Sequence, residues 1–228
     1  MIPKMPALLD PKADLAFARP RSLREEAYEA IKQRIIMGLF RPGDSLSEAV
    51  VSASLGLGRT PVRQAFDRLM HDGLVEVLPR KGIIVRPITL DEVRDMVAVR
   101  LLNGGYGARL AAERAQPQDL AALADVISRS LVAARSADVA ELMALDRRFH
   151  GTISAAASNP VLGDILRNLH DRSQRVWFLS LRESDHHRRV VDEHAAIVEA
   201  LRARDPAGAE AAMRAHILSF ADNLTRLL

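Results

Sequence analysis

A mainly α-helical chain with one short β-hairpin is the fold class this sequence predicts, on three observations. Aromatic residues make up only 4% of the 228 positions while Ala and Leu abound, a mixture that suits packed helices better than a sandwich or barrel. Apolar residues recur at helical spacing over most of the chain, and strand-like runs occur only between residues 74 and 85. Capping residues punctuate the helical runs, as at Ser22, Pro117, Asp138, Asn159-Pro160 and Asp205-Pro206. The length allows two domains with cores of their own.

Bulk properties narrow the function classes. There is no cysteine, which excludes disulfides and thiolate metal sites. No run of 18 apolar residues and no signal-peptide core is present, so a cytoplasmic protein with no membrane association is expected. The net charge of +3 is unevenly placed: residues 21–90 carry 11 Lys and Arg against 8 Asp and Glu, whereas residues 91–228 carry 18 against 19. An N-terminal part that meets a polyanion fits that direction.

Residues 1–20, with four prolines and no sustained period, read as a flexible N-terminal arm. Ser22 and Glu25 form a capping-box pattern. The helix they start carries Leu23, Ala27, Ile31 and Ile35 and stops at Gly38. Arg41-Pro42-Gly43-Asp44 is a turn. A short helix from Ser47 to Leu55 follows, closed by Gly56. Thr60-Pro61 then reads as N-cap and first residue of a third helix, with Val62, Ala65, Phe66, Leu69 and Met70 on its inner face. Leu74–Leu78 and Ile83–Val85 are strands joined by Pro79-Arg80-Lys81-Gly82. Three helices and a hairpin make a winged helix-turn-helix over residues 21–87. Pro87 and Thr89 mark a linker. Beyond it, helical stretches at 91–114, 118–134, 138–157, 160–182, 186–204 and 206–227 predict an all-α six- or seven-helix bundle over residues 88–228.

In a helix-turn-helix the start of the second helix meets the major groove while its apolar face packs inward. That phase leaves Arg59, Thr60, Arg63 and Gln64 outside. Arg59 and Arg63 can each fork onto guanine or hold a phosphate, and Gln64 can read adenine. Thr60 and the free amides of the first turn suit a phosphate oxygen. Arg80, Lys81 and Gly82 form the wing tip, placed for the backbone or the minor groove. Singly, each basic residue reads equally as surface charge; the order of elements points to double-stranded DNA.

The segment GLFRPGDSLSEAVVSASLGLGRTPVRQAFDRLMHDGLVEVLPRKGIIV resembles the signature of the GntR family of bacterial transcription regulators. The matching features are Pro42-Gly43, Arg59-Thr60-Pro61-Val62-Arg63, Leu69, Gly73-Leu74-Val75 and Gly82. The resemblance implies DNA contact by Arg59, Thr60, Arg63 and the wing from Arg80 to Gly82. Two places depart from it: Gly58 stands where the family has Ser, and Gln64-Ala65-Phe66 where it has Glu-Ala-Leu.

A second constellation lies in the bundle. Asp146 and His150, four residues apart, share a helical face with Leu142, Leu145, Phe149 and Ile153. His194 shares one with Ile197, Val198 and Leu201, and His216 one with Met213 and Phe220. Buried carboxylates and imidazoles are costly unless paired or metal-bound. The four make an N3O set for a divalent ion such as Zn²⁺ or Ni²⁺, and each histidine taken alone reads as a hydrogen-bonded core residue. His71, His170, His186 and His187 show no comparable pattern and are read as surface or outer residues. Glu193 lies about 100° round its helix from His194 and is expected to point elsewhere.

Asp146-x3-His150, then His194, then His216, resembles the metal-binding C-terminal FCD domain of the FadR subgroup. The resemblance implies a metal that anchors a small carboxylate effector, in a domain that binds effector and dimerises. Arg100 matches an arginine of that domain, expected either to pair with the effector carboxylate or to form a structural salt bridge. Gly104, within Asn103-Gly104-Gly105, stands where an acid is usual, which would enlarge the pocket or soften the helix. Arg172 and Arg175 are further effector-binding candidates, and Trp177 is read as core or interface.

The expected function is a non-enzymatic, ligand-responsive transcription regulator, a repressor released by effector. A homodimer is expected because one short helix reads only a few base pairs and two-fold symmetry doubles the site. Two other readings stand beside it: a metal-dependent hydrolase or lyase with an N-terminal targeting module, and a constitutive architectural DNA binder.

Overall fold

The computed structural model describes residues 22–180 and 184–227, with side chains over 22–178 and 187–222. The arm expected at 1–20 and the side chain of His186 lie outside the described residues.

The N-terminal part runs α1 (Leu23–Ile36), β1 (Ser45–Leu46), α2 (Glu48–Leu55), α3 (Arg59–His71), β2 (Val75–Leu78) and β3 (Gly82–Val85). Ser22 Oγ accepts from the Glu25 amide at 3.2 Å and starts α1. Ala27, Tyr28, Ile31 and Ile35 on α1 pack with Val62, Ala65, Phe66 and Leu69 on α3 in one apolar core. Leu23 and Met70, expected on those inner faces, are exposed because they lie at the margins of the packed stripes. α3 begins at Arg59 with Gly58 as N-cap, ahead of the expected Thr60-Pro61. Pro61 is harmless there, since the first four amides of a helix have no partner within it; the first i→i−4 bond is Val62 to Gly58.

The hairpin pairs β2 with β3, Val75 opposite Val85 and Leu78 opposite Gly82. Both Arg80 (φ 67°) and Gly82 (φ 76°) turn through the left-handed region, which glycine adopts without strain and arginine does not. β1 pairs with the other edge of β3, giving the order β1-β3-β2. Two residues are too short to show alternation, so this strand leaves no mark in the sequence.

The C-terminal part is α4 (Leu90–Arg114), α5 (Pro117–Ser136), α6 (Val139–Ala156), α7 (Pro160–Ser180), α8 (Ser184–Arg202) and α9 (Pro206–Leu227). Each bound that does not adjoin undescribed residues falls within two residues of expectation, and at the starts of α4 to α7 and α9 the caps explain why. Thr89 Oγ1 accepts from the Glu92 amide, Asp138 Oδ1 from Glu141, Asn159 Oδ1 from Leu162 and Asp205 Oδ1 from Gly208, while Gln116 and Asp119 form a capping box on α5. Phe149, Leu123, Ile197, Leu201 and Ile217 centre a second apolar core.

Ile36, the last residue of α1, joins this second core, and Phe178 of α7 lies against Gly38. α4 and α9 pack along each other: a Cβ on Gly104 would meet Ile217 Cδ1 at 2.9 Å. The Gly104-Gly105 pair thus serves a close helix approach inside a continuous helix.

Candidate metal centre and DNA-binding surface

Three helices bring the four candidate ligands together. α6 presents Asp146 and His150 one turn apart, α8 presents His194, and α9 presents His216. His150 Nε2 lies 3.6 Å and His194 Nε2 3.7 Å from Asp146 Oδ1. One ring nitrogen each of His150, His194 and His216 falls within 4.8 Å of the others. Phe149 stacks flat on His194 with centroids 3.9 Å apart. His216 Nδ1 lies 2.8 Å from Glu193 Oε2, which orients its other nitrogen toward the cluster, as outer carboxylates do for metal-ligating histidines. Glu193 was expected to point elsewhere. It reaches His216 because its partner sits on a different helix from its neighbour His194.

Burial pushes the Asp146 carboxyl up to about 7, against the pull of Arg100 and a hydrogen bond from Gln174. Burial, with the Arg100 charge adding to it, holds His150, His170, His194 and His216 below the ordinary imidazole range. Neutral imidazole is the form a metal takes. The donors fit a divalent ion on a further observation: His194 Nε2 is buried with no hydrogen-bond partner, a costly state that ligation would relieve.

His170 of α7 departs from expectation. It is buried, with Nε2 3.4 Å from Asp146 Oδ2 and its ring 4.8 Å from that of His150. Ser173, Gln174 and Trp177, three, four and seven residues on, share its face and are buried too, but only Trp177 among them is apolar, which leaves little mark in the sequence. His187 is also buried, and it borders a small pocket with Asp146 and His194. His71 is exposed.

Arg100 is buried, and burial lowers it to about 10 despite Asp146. It lies 5.4 Å over the Phe220 ring and has no ion pair within 4.0 Å among the described residues. It borders a cavity of about 500 Å³ that also touches His150, His170, Gly104 and Ile217 and reaches Tyr28 and Lys32 on α1. Arg172 and Arg175, expected to contact effector, border neither this cavity nor the small pocket at the cluster. Arg172 pairs with Glu92 on the first turn of α4 and Arg175 donates to the Arg86 carbonyl just after β3, so the two contacts lie at either end of the linker between wing and bundle. They lie roughly 200° and 140° around α7 from His170, which turns them away from the cluster.

In the N-terminal part, Arg59, Thr60, Arg63 and Gln64 are exposed on the first turns of α3, and Arg80, Lys81 and Gly82 on the hairpin. The four basic residues make no ion pair among the described residues. Gly58 supplies no side-chain cap, which leaves the first α3 amides open to an anion. Arg68, further along, is engaged by Glu25 and stacks 3.7 Å over the Tyr28 ring.

Family profiles match the sequence in two places: residues 23–85 match the bacterial regulatory proteins of the gntR family, and residues 95–219 the FCD domain. The chain belongs to the GntR family, with an FCD domain at its C-terminal end. Its relatives include the HTH-type transcriptional repressor RspR of Escherichia coli K12, 26% identical over 205 residues and 90% of each chain. A regulator from the TAR-I ttuE-ttuC' intergenic region of Agrobacterium vitis is 36% identical over 135 residues, 58% of this chain and 79% of that one. The solved structure of E. coli McbR/YncC shares the fold with a TM-score of 0.83 at 21% identity, over 91% of this chain and 99% of that one. This GntR-family chain is a DNA-binding transcription regulator. Among the described residues no helix is long and apolar enough to cross a membrane.

Proposed function

We propose that this GntR regulator is a homodimeric repressor, released from its operator when a small organic acid binds at a divalent metal in the bundle. The reading divides the chain into a DNA-binding part over 21–87 and an effector and dimerisation part over 88–228. Asp146, His150, His194 and His216 would hold the ion, Zn²⁺ or Ni²⁺, which supplies a Lewis-acid seat for a carboxylate. Arg100 would pair with that carboxylate. Arg59, Thr60, Arg63 and Gln64 would enter the major groove, with Arg80, Lys81 and Gly82 flanking it.

One observation carries this reading. A buried arginine without an ion pair stands beside a carboxylate ringed by neutral imidazoles, on a cavity that extends to the DNA-binding half. A hydrolase or lyase would need a base at the ion, and the adjacent acid, Glu193, is engaged by His216.

α7 offers the route between sites. It turns His170 to the cluster, while Asp171 holds Lys32 of α1 at 3.0 Å and Arg172 and Arg175 hold the two ends of the linker. An effector that favours one placement of α7 needs a coupling of about 1–3 kcal/mol to act, five- to 150-fold in operator affinity. Anisotropy titration of operator, selected from random DNA, measures this with metal-loaded protein and a panel of C3–C6 hydroxy- and dicarboxylic acids. A shift of that size with one acid, abolished by chelation, is expected. Unchanged operator affinity across the saturating panel would overturn the proposal.

A further inference from the structure

We infer that His170 is a fifth protein ligand of the metal, making the centre one carboxylate and four imidazoles; the inference rests on the metal reading above. Two ligands of one ion, each about 2.1 Å from it, stand roughly 3 to 4.2 Å apart. Three imidazole Nε2 atoms meet that condition around Asp146: His150 at 3.6 Å, His194 at 3.7 Å and His170 at 3.4 Å. His170 is the nearest of the three, and it faces the oxygen opposite the one shared by His150 and His194. Donor atoms of Asp146, His150 and His170 also form a set within 4.8 Å of one another, overlapping the His150, His194 and His216 set.

The polar neighbours of His170 on α7 are already satisfied. Ser173 donates to the Leu169 carbonyl and Gln174 to that of Met143. His170 alone among them has both ring nitrogens buried with no hydrogen-bond partner, a state two lost hydrogen bonds would make costly. A core histidine held for packing would place at least one nitrogen on a carbonyl or hydroxyl. His170 places neither, and aims its Nε2 at the ligand carboxylate.

The consequence is a different metal preference. Four protein donors suit tetrahedral Zn²⁺, whereas five nitrogen and oxygen donors suit a five- or six-coordinate ion such as Ni²⁺ or Co²⁺. A six-coordinate ion then keeps a single open position. The effector carboxylate would bind through one oxygen, with its other oxygen left to Arg100.

The test uses full-length protein stripped with chelator and titrated with Co²⁺ alone, without effector. Visible ligand-field spectra report coordination number, and chelator competition reports affinity. Wild type should take one Co²⁺ per chain with the weak bands of a five- or six-coordinate ion. His170→Ala should still take one, with stronger bands of lower coordination. Loss of even an outer partner costs about 10- to 100-fold in metal affinity, so at least tenfold weakening is expected. His170→Gln keeps the volume and decides the matter should the Ala variant fail to fold by circular dichroism. Wild-type spectrum and affinity in the His170 variants, with His194→Ala losing both, would overturn the fifth ligand and leave the metal centre standing. A wild-type chain that retains no Co²⁺ would overturn both together.

Discussion

Below its midpoint of about 7, Asp146 carries a proton, while the imidazoles around it stay neutral to well below their ordinary range. A metal binding there displaces a proton from Asp146 and none from the histidines. Since ionised carboxylate is the ligand form, apparent metal affinity should rise about tenfold per pH unit up to pH 7 and flatten above it. Calorimetry in buffers of different ionisation heat should count close to one proton released at pH 6 and almost none at pH 8. Release of three or four at pH 6 would mean that the imidazoles are charged in the free protein. On the proposed DNA side, the exposure of Arg59 and Arg63 on the first turns of α3 was legible from residue type and phase, but whether each would meet a base or a phosphate was not. Alanine at a base-reading arginine should cost about 1–3 kcal/mol and relax preference at one position; at a phosphate contact it should weaken all sequences alike and cut the salt slope by about one. Lys81→Ala should behave in the second way, and a change in base preference at Lys81 would remove the wing from the backbone. His170 escaped the sequence reading because one imidazole on a mixed stripe carries no spacing partner on its own helix.

Helices α4 to α7 and α9 were legible as elements because each start is marked by a side chain that satisfies its free amides, and those marks are local. What joins one helix to another is not local. Gly104 read as an enlargement of the pocket or a softening of the helix; it does border the cavity, but a side chain there would also press on Ile217 of α9, 113 residues later, which its own helix does not show. Arg172 and Arg175 read as effector contacts because arginine types suit carboxylates, while their partners, Glu92 on the first turn of α4 and the Arg86 carbonyl just after β3, lie far off in sequence, where periodicity cannot pair them. Exposed helical Gly→Ala changes stabilise by up to about 1 kcal/mol. Gly104→Val should instead destabilise by about 1–3 kcal/mol, because its β-branched side chain must displace the fully buried Ile217 and prise α4 from α9. Urea denaturation of the metal-free protein measures it, and a neutral or stabilising value would show that the α4–α9 contact has slack.

Between the two cores runs a polar seam that periodicity alone would have filled with apolar residues. Lys32, only 2% exposed, holds Glu29 at 2.9 Å and Asp171 at 3.0 Å, and Arg147 of α6 closes the ring on both acids at 3.4 and 3.5 Å. Tyr28 donates to Asp72 at 2.7 Å, joining α1 to the end of α3. Exchanging a buried ion pair for apolar groups of like volume is often neutral or stabilising, so the ring is poorly explained by stability alone. Its directional bonds instead fix how the DNA-binding half sits on α7, next to His170, which faces the Asp146 and histidine cluster. Two placements that differ in these bonds are what an effector could choose between. The double variant Lys32→Met, Asp171→Leu separates the two roles. It should fold with near wild-type stability, bind Co²⁺ with unchanged affinity and bind operator in the absence of acid as wild type does. The effector-dependent change in operator affinity should fall by more than half of its coupling free energy. Equal coupling in variant and wild type would place the route elsewhere, through the Arg172–Glu92 pair and the linker, where Arg172→Ala would then be the variant that loses it.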